Sequence, residues 1–488
     1  MRFLKYSIRT AALAAAVSIS SCDHFEELNV NPNKASEVST AGLLAQSQAN
    51  IVYNVFGELG QLGAQYTQQL SQIEYPEKSH YDDAGSSGYS SIYTGGLADA
   101  QEIINIVDAE RTMDAARKYG DIENQKAVAM ILKAWAFHNA TDVWGDLPYS
   151  EALKGDEGIL LPKFDTQEEI YAGLQADLDE AIALINETPN VAIPADYDLI
   201  MGGDMTMWKK FAKSLKLRIA MRLSDVDEAA AKAVINDAAF SGVLEAGDVI
   251  SFEHLSTNNE ANPLYIDNVV NTGADNFAIS DVIVDKMLMM NDPRLAVYAA
   301  PTVNDASVYA GFPYGKDRTF ITGLSSDDYS MVSEAFGGQT APSIIMTGAE
   351  VLFIKAEAAQ RGYISGSAAA YYEEAVSASL SENGVDKADA DAYLATVPYD
   401  ASDWKMVLGT QKWLALFNQG IQAWSEFRRL DAPMLSPAEA SSISQIPTRR
   451  AYSSGPYSSN AENVEAAAAR LQGGDDFTSR VWWDVKLP

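Results

Sequence analysis

The chain has 488 residues, 47% of them hydrophobic, with 67 acidic side chains against 35 Lys and Arg and a single cysteine. A formal charge of -32 at pH 7 argues against nucleic acid and against an anionic membrane surface as ligands, since both repel an acidic protein. One cysteine rules out a disulfide framework, so the fold must hold by its hydrophobic core, for which a chain this long has ample material.

The first twenty-one residues, "MRFLKYSIRTAALAAAVSISS", run from three cations (Arg2, Lys5, Arg9) through an apolar stretch at 11–19 to the small residues Ser20 and Ser21, immediately before Cys22. This is the order of a secretory signal, and the apolar stretch is far short of the roughly 20 residues that span a bilayer. A cysteine in that place reads as a lipidation site, with residues 1–21 removed and the acyl chains carried by Cys22. An ordinary secreted protein with a chance cysteine near the cut is the alternative. Cleavage removes only cations, leaving 32 against 67 acids and a charge of about -35. Residues 22–40, "CDHFEELNVNPNKASEVST", read as a tether leading into the first ordered turn at about residue 41.

Beyond the tether the hydrophobic period is helical. Val128, Ile131, Leu132 and Trp135 form one stripe in "QKAVAMILKAWAFHNA", and the following "WGDLPYSEA" reads as a helix-ending corner. In that corner Gly145 permits the turn, Pro148 forbids continuation and Trp144 packs over it, so Trp144, Asp146 and Tyr149 read as architecture. Further stripes are Tyr171, Leu174, Leu178, Ala181, Ile182 and Ile185, then Trp208, Phe211, Leu215 and Ile219, then Trp413, Leu416, Phe417, Ile421 and Trp424. Aromatic residues at this spacing read as core. "EVLFIKAEAAQRGYISGSAAAYYEEAVSASL" predicts a helical hairpin with Ala358, Ala370 and Ala375 facing aromatic residues, the small-to-large fit of tetratricopeptide-type repeats. No regular 34-residue period extends it. The fold class is therefore all-α.

Two stretches break the pattern. Residues 71–96, "SQIEYPEKSHYDDAGSSGYSSIYTGG", and about 250–342 are dense in Asn, Gly, Pro, Asp and aromatic residues with little helical period. Long irregular segments on a helical scaffold are usually functional. Signs of catalysis are absent: His24, His80, His138 and His254 form no His-Glu-x-x-His pair, and "GFPYGKD" is one residue short of a phosphate loop, with Asp317 where Ser or Thr would stand. No cofactor and no metal site are expected. The acidic run Asp386, Asp389 and Asp391 lacks the glycine and distal glutamate of a calcium loop.

Several segments together carry a resemblance: "WGDLPYSEAL", "MWKKFAKSLKLRIAMRLS", "NDPRL", "MTGAEVLFIKAEAAQRG", "GTQKWLALFNQGIQAWSEFRRLDAP", "IPTRRAYSSG" and "VWWDVK". In this order they resemble the SusD/RagB family of Bacteroidota outer-membrane lipoproteins, in its SusD-like nutrient-binding branch, from residue 22 to about 486. The opening "CDHFEELNVNPNKAS" is similar to the family's processed N-terminus, although Ile19 and Ser21 stand where lipoboxes usually carry Leu and Ala or Gly. The resemblance implies an α-helical superhelix with tetratricopeptide-like hairpins over 41–488. It also implies a lipid-anchored, surface-exposed outer-membrane protein that is not an enzyme. Such a protein captures an oligosaccharide or polysaccharide, or in some members a peptide, and delivers it to a SusC-like TonB-dependent transporter. An all-helical carbohydrate-active enzyme is the alternative from another class.

Sugar rings pack a C–H face on aromatic rings, and their hydroxyls call for amide and carboxylate partners. The two irregular stretches hold that mixture. Tyr75, Tyr81 and Asp82 are the candidate ligand-binding residues in the first, and Tyr265, Asn268, Asn276, Phe277, Tyr329 and Phe336 in the second. The paired cations Arg428 with Arg429 and Arg449 with Arg450 are expected to brace carboxylates or helix C-termini.

Overall fold

The computed structural model describes residues 39–82, 88–189, 192–271 and 276–485. The expected signal, Cys22 and nearly all of the tether lie outside the described residues. From Thr40 onward the chain forms one unit.

Two helices, α1 (Thr40–Phe56) and α2 (Glu58–Tyr66), lead into a three-residue strand, β1 (Leu70–Gln72). Helix α3 (Ala98–Asp108) then packs beside α1 and against the long helix α4 (Ile122–Trp144). Asp121 caps α4, its carboxylate accepting from the N–H groups of Glu123 and Asn124, and Gly145 ends it at φ +84. The corner is built as its sequence suggests. Trp144 is fully buried, Asp146 accepts from the Gln167 N–H at 2.8 Å and pairs with Arg470 at 2.5 Å, and Tyr149 donates to Asp177.

Helix α5 (Gln167–Leu184) opens with a complete capping box between Thr166 and Glu169 and lies along α4. Helix α6 (Met205–Arg222) buries Trp208, Phe211, Leu215 and Ile219 on one face, and the Trp208 indole N–H donates to Asp198 at 2.7 Å. The predicted hairpin is α8 (Gly348–Gln360) with α9 (Ala368–Glu382), placed after the ten-residue helix α7 (Asp281–Met290). Ahead of α8, β2 (Val249–Phe252) pairs antiparallel with β4 (Ser343–Thr347), and ahead of α7 stands the short strand β3 (Phe277–Ile279).

The stripe from Trp413 to Trp424 does not lie on one helix. The chain forms α10 (Trp404–Ala415), turns through Asn418 at φ +61, and resumes as α11 (Gly420–Leu430), with all five stripe residues buried. The turn is imposed by a close crossing of α11 on α2. A Cβ on Gly420 would run into the Gly60 carbonyl, and one on Gly63 into the Gly420 carbonyl group. Gly420→Ala is accordingly expected to cost about 1–3 kcal/mol of stability by urea unfolding. Gly155→Ala, whose Cβ meets open space, serves as the neutral control.

The centre of the helical unit holds a buried ionic network. Arg429 chelates Glu357 at 2.5 and 2.6 Å and reaches Glu426 at 2.6 Å, while Arg361 joins Glu357 at 2.8 Å to Asp225 at 2.7 Å. Lys412 bonds Glu426 at 2.9 Å, and Arg218 chelates Glu350 at 2.7 and 2.6 Å. Burial alone would raise the Glu357 carboxyl; Arg429 and Arg361 overcome it and hold the group well below the usual carboxylate range. Arg428 stacks on Trp424 and donates to the carbonyls of Thr448 and Asp142, and Arg449 pairs with Asp475. These arginines therefore brace the structure.

Candidate functional site

The two irregular stretches, some two hundred residues apart, meet through β1 and β3. The strands pair antiparallel with Leu70 opposite Ile279, Ser71 opposite Ala278 and Gln72 opposite Phe277. The pairing continues one bond further, from the Ile73 N–H to the Asn276 carbonyl at 2.8 Å. At this end of the pairing lies a cavity of about 370 Å³ lined by Gln72, Tyr75, Glu77, Lys78, Asp82, Asp267, Asn276 and Phe277.

Four of the nine candidate residues thus share one cavity: Tyr75, Asp82, Asn276 and Phe277. Tyr75 is 52% exposed and offers an open ring. Asn276 sits behind it, its Oδ1 accepting the backbone N–H groups of Glu74 and Tyr75 at 3.2 Å each. Asn268 repeats the device one layer back, accepting from the N–H groups of Asn276 at 3.1 Å and Phe277 at 2.8 Å. Both asparagines shape the backbone that carries the cavity, a use of Asn common in irregular segments. Asn268 and Asp267 lie on a π-helical turn, Ile266–Asn271, a geometry frequent at functional sites.

The other candidates lie elsewhere. Tyr81 is core: it is 2% exposed at φ +64, packs edge-on against Tyr66, and its hydroxyl accepts from the Ala438 N–H at 3.0 Å. It presents no face to a ligand, because a large ring in a left-handed turn was drawn inward to fill the space beside Tyr66. Tyr265 ends the short helix Pro263–Tyr265 and is half-buried. Tyr329 packs edge-on against Phe312 with ring centroids 5.0 Å apart. Phe336 lies with Tyr298 and Phe417 at a separate cavity of about 290 Å³.

Sequence reasoning missed Gln72, Arg318 and Phe320. Arg318 pairs with Glu77 at 2.6 Å and lies over the Tyr75 ring, 5.8 Å from its centroid. Partial burial works against the Glu77 carboxylate, but a backbone hydrogen bond and the Arg318 guanidinium hold it below its usual range. On the same short helix, Arg318–Ile321, Phe320 is 49% exposed beneath Lys316. "GKDRTF" carries a signal for this pair, two cations and an aromatic within five residues, and it overlaps the end of "GFPYGKD".

The separate cavity contains Glu382, whose carboxylate accepts the Ala349 N–H at 2.9 Å. Burial pushes it up from 4.5 to about 7. A raised carboxyl binds its proton more tightly folded than unfolded, so its contribution is complete at acid pH and is lost as pH rises from about 4.5 through about 7. Wild type is expected to lose up to about 3 kcal/mol more stability than Glu382→Gln across that window, read from unfolding midpoints at several pH values. Parallel profiles would contradict it.

Among the described residues no group of three or more His, Cys, Asp or Glu side chains is placed to hold a metal ion, and no helix is long and apolar enough to cross a membrane. The fold and the cavity together define a helical binding scaffold. A family model described as starch-binding and associating with the outer membrane matches residues 32–453, and the chain belongs to this SusD-like family. A solved structure named as a chitin-binding protein is similar at 28% identity, with a TM-score of 0.78 over 92% of this chain and 100% of that one. A chitin-binding SusD homologue from Flavobacterium johnsoniae is similar at 22% identity and TM-score 0.76, over 91% and 99% of the two chains. A SusD homologue from Bacteroides thetaiotaomicron is similar at 23% and 0.76, over 93% and 100%. The last two likenesses establish the shared fold. A comparison with curated proteins gave no match.

Proposed function

We propose that this protein is a non-catalytic surface lipoprotein that binds a glycan in the cavity at the end of the β1–β3 pairing and passes it to a SusC-like TonB-dependent outer-membrane transporter. The observation that carries the reading is the cavity itself, where an open tyrosine ring stands beside amide and carboxylate groups, the mixture that sugar recognition requires. The starch-binding description of the family and the chitin-binding name of the 28% identical structure support a glycan as the nutrient. In this reading residues 1–21 are removed, Cys22 carries the lipid, residues 22–40 tether the protein to the outer membrane, and residues 41–488 bind the nutrient.

Native electrophoresis of residues 23–488 through gels containing single polysaccharides tests the proposal, beside calorimetric titration with mixed peptides. Retardation by one glycan, with no shortening of that glycan on incubation, is the expected result. Shortening would establish an enzyme instead, and heat from peptides without retardation would move the protein to a peptide-binding role.

A further inference from the structure

Two polar groups on the cavity wall have no hydrogen-bond partner among the described residues, and an aromatic ring stands beside them. Gln72 is 2% exposed and its Oε1 is buried without a hydrogen-bond partner, although an acceptor withdrawn from water is unfavourable unless something donates to it. Asn276 uses its Oδ1 on two backbone N–H groups, and among the described residues no acceptor takes the hydrogens of its Nδ2. Phe277 stands opposite Gln72 in the strand register, so its ring and the Gln72 carboxamide share one face of the pair and line the same cavity. A buried acceptor, an unused amide donor and an apolar ring therefore lie side by side.

We propose that this wall recognises a secondary amide on a sugar ring, which makes the ligand class a polymer of 2-acetamido sugars. The acetamido N–H donates to Gln72 Oε1, its carbonyl accepts from Asn276 Nδ2, and its methyl group packs on Phe277. A plain hydroxyl would satisfy Gln72 but offers no carbonyl to Asn276 Nδ2 and no methyl to the edge of the Phe277 ring, which is otherwise packed against Leu70 and Leu264. A peptide amide offers the same N–H and C=O, but chain continues on both sides of it. Phe277 is only 3% exposed, which suits a terminal methyl. The outer wall holds Glu77, Asp82 and Asp267, which disfavour uronate and sulfated sugars, and Tyr75 remains open for the ring face. The inference rests on the glycan-binding reading above and names the group that reading leaves open.

The test is calorimetric titration of the purified protein with the N-acetylglucosamine hexamer, its deacetylated counterpart, cellohexaose and N-acetyl-hexaalanine amide, repeated on Gln72→Leu and Tyr75→Ala. Wild type is expected to bind the acetylated hexamer at least tenfold more tightly than the other two sugars, since neither offers a carbonyl to Asn276 Nδ2 or a methyl to Phe277, with titration at high salt to screen the attraction of the cationic deacetylated hexamer to the acidic wall. Gln72→Leu should reduce that preference, since it strands the acetamido N–H, and Tyr75→Ala should weaken all three sugars together. Equal affinities of wild type for the three hexamers would overturn the amide assignment while leaving glycan binding intact, a result that needs no variant to fold. Unchanged preference in Gln72→Leu would overturn it equally. Binding of the peptide in place of every sugar would overturn both readings, and binding of none of the four probes would overturn the amide assignment alone.

Discussion

Arg429→Met is expected to lower stability by about 3–5 kcal/mol, one of the largest losses available to a single substitution in this chain. Arg429 is buried and contacts Glu357 twice and Glu426 once, so its removal leaves carboxylates in the core with too little compensating charge. The loss arises from the groups left behind more than from the pair itself. Removing the Glu357 charge as well, in Arg429→Met with Glu357→Gln, should therefore recover part of it. Urea unfolding of the two variants beside wild type reads both effects, and a loss below about 1 kcal/mol in the single variant would show that water or repacking replaces the guanidinium. Exposed Lys387, paired with Asp391 at 2.7 Å, is the contrasting case, and Lys387→Ala should leave the midpoint unmoved.

Tyr75→Ala should weaken glycan binding about tenfold, roughly 1.4 kcal/mol, with little change in unfolding midpoint. The ring is half in solvent, and its backbone is fixed by Asn276 whatever side chain the position carries. Tyr81→Ala, six residues on, should do the reverse and cost about 3–5 kcal/mol of stability, because that ring is packed against Tyr66. A combined replacement of Tyr75, Tyr81, Tyr265 and Phe277 would confuse loss of the fold with loss of the site. Unchanged affinity in Tyr75→Ala, measured with the glycan that retards wild type, would remove the platform assignment.

The helices were legible because their information is local. A stripe such as Trp208, Phe211, Leu215 and Ile219, with Asp204 capping ahead of it, contains its own period and its own start. The break between α10 and α11 was hidden because the hydrophobic period runs on through it, and its cause is a crossing with Gly60 and Gly63 more than 350 residues away. The same distinction divides the site. That the two irregular stretches matter could be read from composition, but which of their residues face outward could not. Tyr75 and Tyr81 look alike in "EYPEKSHYDD", yet one is open and the other a hydrogen-bonded core residue. Strands of three residues carry no usable period, so the pairing that selects Gln72 and buries Phe277 is visible only in three dimensions.

That pairing has a consequence for inheritance and for engineering. The wall of the proposed site is encoded in two places, at residues 72–82 and at Asp267 with Asn276 and Phe277, and neither set lines the cavity alone. A new nutrient preference cannot be carried in a single short exchange between relatives; a chimera taking only one stretch would match a foreign strand to a resident partner. Exchanging both together, with the helices between them left in place, is the smallest transplant that moves specificity as a working unit.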